Sequence, residues 1–471
     1  MSDGAPVHGY AYTLTGPMSA SADMLALFSD QAAVQRMLDF EAALARAEAS
    51  HGVIPAEAAA PIAACCQASR LDLPALAQAA AAAGNLAIPL VRQLTAAVLN
   101  DDAEAGKYVH WGATSQDAID TGLVLQLRDA LDLLDADLAA LADALASLAR
   151  THRDTTMVGR TWMQHALPTS LGLKMAGCLD AVLRHQQRLH DVRHRALALQ
   201  FGGAAGTLAS LGDKGLVVAA TLAQDLGLAL PDLPWHTQRD RIAEVATVLG
   251  LLTGTLGKLA RDISLLMQTD VAEVAEPTAA GRGGSSTMPH KRNPVGCAMA
   301  LCAATRVPAL VSTMLSGMVQ EHERALGGWQ AEWDTLPDIV LLTSGALRQM
   351  RDVAAGLEVD AARMRANLDL THGLIMGEAV MLALGATIGR MAAHKLVEQA
   401  SRQAAASGHH LRDVLGTDAA VARQLSPEIL DHLFDPANYR GEAGAFVDRV
   451  LASYARGVQE HKHKHNPETN A

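Results

Sequence analysis

Five stretches of this chain keep an apolar residue at every third or fourth position for longer than an ordinary globular helix runs. They cover approximately residues 118–152, 169–198, 239–268, 294–319 and 335–357. Alanine and leucine dominate, and aromatics make up only 3% of the 471 residues, a composition that favours helix strongly. Several stretches are apolar on more than one face, as in Ile242–Leu256. A helix that is apolar most of the way round must be buried inside a bundle or between subunits. The pattern predicts an all-α protein built on a bundle of long helices.

The flanking regions read differently. Residues 1–22 lack periodicity and are expected to form an extended arm. Helical pattern starts near Met24 and holds through Ala49, after which Pro55, Pro61 and Pro74 break the chain into short helices. The charge pattern changes near residue 365, and loops such as Ala406–His409 and Ser426–Pro427 follow. Three domains are expected: 1–115, N-terminal and helical; 116–364, the central long-helix bundle; and 365–471, small, helical and C-terminal. The chain ends in HKHKHNPETNA from His461, read as a solvated, flexible tail.

A net charge of −12 argues against nucleic acid as a partner, because a phosphate backbone wants a basic face. An acidic protein that binds an acidic substrate must concentrate positive charge locally. The five cysteines (Cys65, Cys66, Cys178, Cys297 and Cys302) fit no zinc or CxxC spacing and read as reduced thiols in a cytoplasm, with no metal site. Cys297 and Cys302 are expected to be small core residues on a buried helix. No basic segment followed by an apolar run marks a signal peptide. The apolar stretches are cut by Lys174, Glu244, Lys258 or Arg306, so no membrane span is expected.

Chemistry concentrates in a few segments. Gly281–Pro294 reads GRGGSSTMPHKRNP, with three glycines, two adjacent serines, a lysine and an asparagine between helical stretches. Glycines let a loop move and let its N–H groups approach an anion. A serine becomes a useful base only where its alkoxide is stabilised, and backbone N–H groups with a nearby ammonium do that. Lys291 and Asn293 are then candidates to hold a carboxylate or stabilise an enolate. A flexible linker is the bland alternative, but linkers do not end in Met-Pro-His-Lys-Arg-Asn-Pro.

Three further segments carry polar groups where helices are expected to begin. His110-Trp-Gly-Ala-Thr-Ser-Gln-Asp117 offers the Thr114 and Ser115 hydroxyls and free N–H groups to an anion, although an N-cap with Asp117 in the first turn explains part of it. Gly159–Ser170 (GRTWMQHALPTS) and Trp235-His-Thr-Gln-Arg-Asp240 are the others. Arg324 reads equally as an exposed helix-end residue or as a substrate contact. Together the clusters suggest composite anion sites.

These residues resemble the fumarase/aspartase superfamily of β-elimination lyases. Gly284–Pro294 matches that superfamily's GSSxMPxKxNP motif throughout. His110–Asp117 is similar to its first shared region and Gly159–Ser170 to its second, and the likeness runs through essentially the whole chain. The resemblance implies three mostly helical domains, a central bundle of five long helices, and a homotetramer with a twenty-helix core whose active sites draw on three subunits. No cofactor is implied.

Within the superfamily, Leu27–Asp30, Met37–Glu48, Arg160–His165 and Asp435–Tyr439 are similar to the bacterial 3-carboxy-cis,cis-muconate cycloisomerase family. Two physical arguments agree with that branch. The superfamily's usual second segment has a Thr-His pair, and here it is Thr161-Trp162. The histidine assists departure of poor leaving groups such as hydroxide or amines. A muconolactone opens by expelling a carboxylate, whose pKa near roughly 4 lets it leave without an acid. Adenylosuccinate lyases, the alternative reading, grip a nucleotide phosphate with an early Arg-Tyr, and this chain has no Lys or Arg before Arg36.

The resemblance implies Ser285 as acid/base, with Ser286 the alternative. It implies Lys291, Asn293 and the N–H groups around Gly283–Ser286 as stabilisers of an aci-carboxylate intermediate. His110, Thr114, Ser115, Gln164 and Thr169 would orient the substrate's carboxylates, with Arg160 and Trp162 beside them and Gln238 and Arg324 as further candidates. His165 is a weaker stand-in for the missing histidine, because a helix-start turn would aim it elsewhere. The loop glycines suggest a lid that closes over a small polycarboxylate.

Overall fold

A computed structural model describes residues 14–278, 283, 284, 287, 288 and 290–465. Ser285, Ser286, Gly281 and the last six residues of the tail lie outside the described residues, as does most of the expected N-terminal arm. The described part of that arm is helical from Gly16. The helix expected from Met24 to Ala49 is divided by Ser29, whose Oγ accepts the Ala32 N–H at 3.2 Å and so starts a new helix, α1 (Asp30–Ser50).

The long periodic stretches are helices close to their expected bounds. They are α2 (Ser115–Thr151), α3 (Leu171–Ala196), α4 (Asp240–Leu266), α5 (Val295–Ser316) and α6 (Gly328–Ala355). Strand structure is confined to short pieces, so the fold is all-α. The second shared segment does lead into a helix as expected, since α3 begins at Leu171 and Ser170 Oγ accepts the Leu173 N–H at 3.1 Å, but the residues before it form a β-hairpin and not a helix-entry turn. β1 (Thr156–Thr161) pairs antiparallel with β2 (Gln164–Ser170). Trp162 (φ 51°) and Met163 (φ 63°) form its two-residue turn. Left-handed backbone at both positions is what a tight hairpin turn requires, usually from Asn or Gly. Gly159 sits where the register shifts, and a side chain there would meet the Leu167 carbonyl at 2.8 Å.

The chain divides into two compact units, each drawn from separate segments. The first takes the chain up to Leu138, His185–Gly257 and Met299–Gln349. One of its cores forms around α1, where Leu38, Ile62, Leu90 and Leu94 are fully buried. Another runs along the long helices through Leu127, Leu134, Leu249, Leu252, Ile339 and Leu347. The second unit takes Ala139–Arg184, Lys258–Ala298 and the chain from Met350 onward. Leu145, Leu171, Leu179, Ile263 and Val353 are buried there, and a C-terminal cluster closes around Val380, Leu384, Leu411 and Leu415.

Two helices are long and apolar enough to cross a bilayer by length and composition, α4 and α5, so the charges noted in the sequence do not disqualify them on those grounds. In α4, 61% of the most apolar window is buried inside the fold; in α5 only 28% is. Cys297, Ala300, Ala303 and Val307 form the inward stripe of α5. Cys302 lies on its outward side and is exposed, which corrects its expected place in the core: it is five residues from Cys297 and so falls on a different face.

Candidate active site

In the first unit the polar residues converge on the start of α2. Thr114 precedes the helix, and its N–H donates to Asp117 Oδ2 at 2.9 Å, half of a capping box. Asp117 does more than cap. Its Oδ1 accepts the Gly202 N–H at 3.1 Å and lies 2.8 Å from His236 Nε2, and its Oδ2 also accepts the Gly203 N–H at 2.9 Å. A fully buried carboxylate with four partners fixes the Gly202–Gly203 turn and the Trp235–Asp240 segment to the helix start. Gly203 (φ 69°) has no room for a side chain, since a Cβ would sit 2.9 Å from the Gly112 carbonyl. The turn was missed in the sequence, where the run Gly202–Gly206 was its only signal.

His110, also in left-handed backbone (φ 56°), turns its ring inward so that Nδ1 lies 2.6 Å from Glu41 Oε1. Burial pulls the His110 pKa down, but the charge and hydrogen bond of Glu41, with the field of Asp117, outweigh it and leave the pKa raised. Glu48, fully buried on the same helix as Glu41, has neither oxygen hydrogen-bonded among the described residues. Burial first, and the Glu41 charge second, push its pKa up to about 9.

Arg324 is not a free helix-end residue. Its Nη1 donates to Gln116 Oε1 at 2.9 Å and its Nη2 to the Ala204 carbonyl at 2.9 Å. Gln116 is oriented in turn, because its Nε2 donates to Asp120 Oδ2 (3.0 Å) and to the His236 carbonyl (2.8 Å). Asp120 belongs to a buried ion cluster. Arg239 bonds it through both terminal nitrogens (2.7 and 3.1 Å) and reaches Glu332 on the other side. Trp329 Nε1 donates to Asp120 Oδ1 at 3.0 Å. Gln238 is exposed on the same turn as these buried neighbours.

In the second unit the hairpin carries Arg160, Trp162, Gln164 and Thr169. Arg160 makes a bidentate pair with Glu273 (2.9 and 2.7 Å), and Asn367 Nδ2 donates to the same carboxylate at 2.8 Å. Gln164 is exposed, Thr169 half-buried, and Trp162 at the turn is 97% exposed. His165 stands on β2 opposite Arg160, and its buried Nδ1 has no partner among the described residues. Burial, then the Arg160 charge, lower its pKa, so it is a poor proton donor at neutral pH.

The glycine-serine loop is closed at its neck. The Glu276 carboxylate accepts the Gly296 and Cys297 N–H groups (3.0 and 2.8 Å) at the start of α5. Arg292 pairs with Glu358 and also reaches the Glu276 carbonyl. Asn293 donates twice to the Gly283 carbonyl, from N at 2.9 Å and from Nδ2 at 3.2 Å. Lys291 is exposed. Residues 273–276 therefore serve both parts of this unit, since Glu273 holds the hairpin's arginine and Glu276 holds the loop's neck.

The chain matches the lyase family over residues 16–309 and the adenylosuccinate lyase C-terminus over 373–450. The chain belongs to the fumarase/aspartase superfamily. Among its relatives in this superfamily is the 3-carboxy-cis,cis-muconate cycloisomerase of Pseudomonas aeruginosa, 60% identical over 96% of this chain and 97% of that protein. The enzyme of the same name from Bradyrhizobium diazoefficiens is 58% identical over 94% and 98%. The crystal structure of 3-carboxy-cis,cis-muconate lactonizing enzyme from Pseudomonas putida superposes with a TM-score of 0.91 at 57% identity, covering 94% of this chain and 99% of that one. A superfamily fold thus arranges the predicted residues in two groups. His110, Thr114, Ser115 and Arg324 gather around the start of α2, while the hairpin residues, Lys291 and Asn293 lie in the second unit. Asp117 was read from the sequence only as a helix cap, Gln116 and His236 only as members of polar segments, and Glu41 and Glu273, which hold His110 and Arg160, were not singled out.

Proposed function

We propose that this chain catalyses the cycloisomerisation of 3-carboxy-cis,cis-muconate to 4-carboxymuconolactone, a step of protocatechuate breakdown through β-ketoadipate. One carboxylate oxygen of the substrate adds across the conjugated double bond and forms the lactone C–O bond. The electron pair of that double bond moves onto the carbon next to another carboxylate, giving an aci-carboxylate. A proton delivered to that carbon completes the reaction, with no net gain or loss of atoms.

The intermediate is the difficult species. A single well-placed donor to such an oxyanion is worth roughly 3–4 kcal/mol. In this reading Lys291 and the loop N–H groups provide it once the loop closes, and Asn293 exchanges its Gly283 bond for the substrate. Ser285 is the acid that protonates the carbon. His110, Thr114, Ser115 and Arg324 bind carboxylates, with Arg324 already aimed by Gln116. Arg160, Gln164 and Thr169 on the hairpin, with Ser286 and Gln238, complete the substrate contacts.

The observation that carries the choice of reaction is Trp162 in the hairpin turn. An indole cannot protonate a leaving group, and His165 beside it is held neutral. A site of this make-up suits departure or attack of a carboxylate and not expulsion of an amine. The relatives named above agree with this choice.

The fold is proposed to work as a cytoplasmic homotetramer of three-domain chains, divided at residues 115 and 364. The apolar face that α5 leaves uncovered supports assembly, since a helix of that composition needs burial that a single chain does not give it. The test is a substrate panel followed by ultraviolet absorbance. Turnover of 3-carboxymuconate without turnover of adenylosuccinate is expected; the reverse pattern would sink the reading.

A further inference from the structure

We propose that Glu41 is the positioning residue of His110: it accepts the Nδ1 proton, so that Nε2 is the atom presented to a substrate carboxylate and the ring carries a positive charge when it does so. The inference rests on the proposed carboxylate-binding role of His110. The 2.6 Å contact joins two residues far apart in sequence, and Glu41 is buried on α1. The left-handed backbone at His110 holds the ring in that direction. His110 Nε2 makes no bond to the described residues, so the ring has one atom engaged and one to offer.

The groups facing the pair make the charge assignment consistent. Glu48 on α1 is protonated at neutral pH and so adds no charge beside the pair. Cys66, from the neighbouring segment, is buried, and its pKa is raised by burial and then by Glu41, so it stays a thiol. Arg46, whose charge is felt at Cys66, is bound to Asp225. Asp117 adds a second negative field, but its oxygens are taken by His236 and three backbone N–H groups. Among the described residues, Glu41 is the one counter-ion in contact with the His110 ring. A carboxylate bonded to one imidazole nitrogen fixes the tautomer and makes the other a better cationic donor.

The test is Glu41→Gln, which keeps the shape and an acceptor oxygen but removes the charge. For 3-carboxymuconate, KM should rise about tenfold with little change in kcat, the size of one lost charge-assisted contact made equally in ground and transition states. The alkaline limb of kcat/KM should move to lower pH, and Glu41→Asp should recover part of both effects. Adding Glu41→Gln to a His110→Gln background should change nothing further. A second loss in that background, or an unchanged KM and pH profile in the single variant, overturns the proposal. Imidazole NMR of the intact protein supplies an arm independent of turnover. The His110 resonance must titrate at lower pH in Glu41→Gln than in wild type, and an unshifted titration overturns the proposal even if 3-carboxymuconate proves not to be the substrate.

Discussion

Glu48 offers a prediction whose size follows from its surroundings. It is fully buried, neither oxygen is hydrogen-bonded among the described residues, and its pKa rises from 4.5 to about 9. The raised value fixes the sign. Below pH 4.5 the acid is protonated in both folded and unfolded chains and has no linkage cost. Between 4.5 and about 9 the unfolded chain releases the proton while the folded one keeps it, so stability falls by about 1.4 kcal/mol per pH unit. At pH 7, roughly two and a half units above the unfolded value, the cost is on the order of 3 kcal/mol. Glu48→Gln removes the titration and keeps the volume. The amide introduces an offset of its own, but that offset does not depend on pH. The signature is therefore the difference between variant and wild type, which should grow in the variant's favour by about 1.4 kcal/mol per unit from pH 5 to 8. Denaturant unfolding of both proteins at one protein concentration across that range measures it, since assembly makes apparent stability concentration-dependent. Infrared spectra at pH 7 should also lose a protonated-carboxyl band in the variant. Parallel stability curves with no lost band would mean that Glu48 is ionised in the fold, and the reasoning would fail.

Other perturbations test the site and its support. Ser285→Ala should abolish turnover while leaving assembly intact by size-exclusion chromatography, and full activity would remove Ser285 as the acid. Trp162→His should impair lactonisation without creating fumarate release, and an unaffected rate would count against the leaving-group argument. Arg239→Met strands Asp120 and Glu332 in a dry interior and should destabilise the fold by about 3–5 kcal/mol, as breaking buried pairs does; a loss under about 1 kcal/mol in denaturant unfolding would show that water reaches the cluster.

The helices were legible because Leu and Ala repeat along them, and the ends of α2, α4 and α5 fall within a few residues of their expected positions. The hairpin was not, because its turn is Trp162-Met163 and lacks the Asn or Gly that signals such a turn. Its strands are short, Gly159 interrupts one, and Pro168 sits in the other, so no alternation develops. The loop motif and the three polar segments were also readable, since each is local. What periodicity could not report is how those segments are held. Glu41 meets His110 across 69 residues, Asp117 meets His236 across 119, and Gln116 meets Arg324 across 208.

Glu41, Asp117 and Gln116 make these contacts from helices, α1 and α2. Glu41 and Glu48 are seven residues apart, which places them on one face of α1, and two acids on one helical face suggest solvent. Both are instead buried, Glu48 as a neutral acid and Glu41 as the partner of a histidine. Asp120 likewise faces inward from α2 because Arg239 arrives from the start of α4. A buried carboxylate is tolerated only with a partner or a proton, so each of these acids implies one or the other. The acids therefore divide by what accompanies them. Asp117, Asp120 and Glu41 have partners and hold the polar segments in place, whereas Glu48 keeps its proton in the fold up to about pH 9, so across the neutral range it acts through stability and not through a change of charge in the fold.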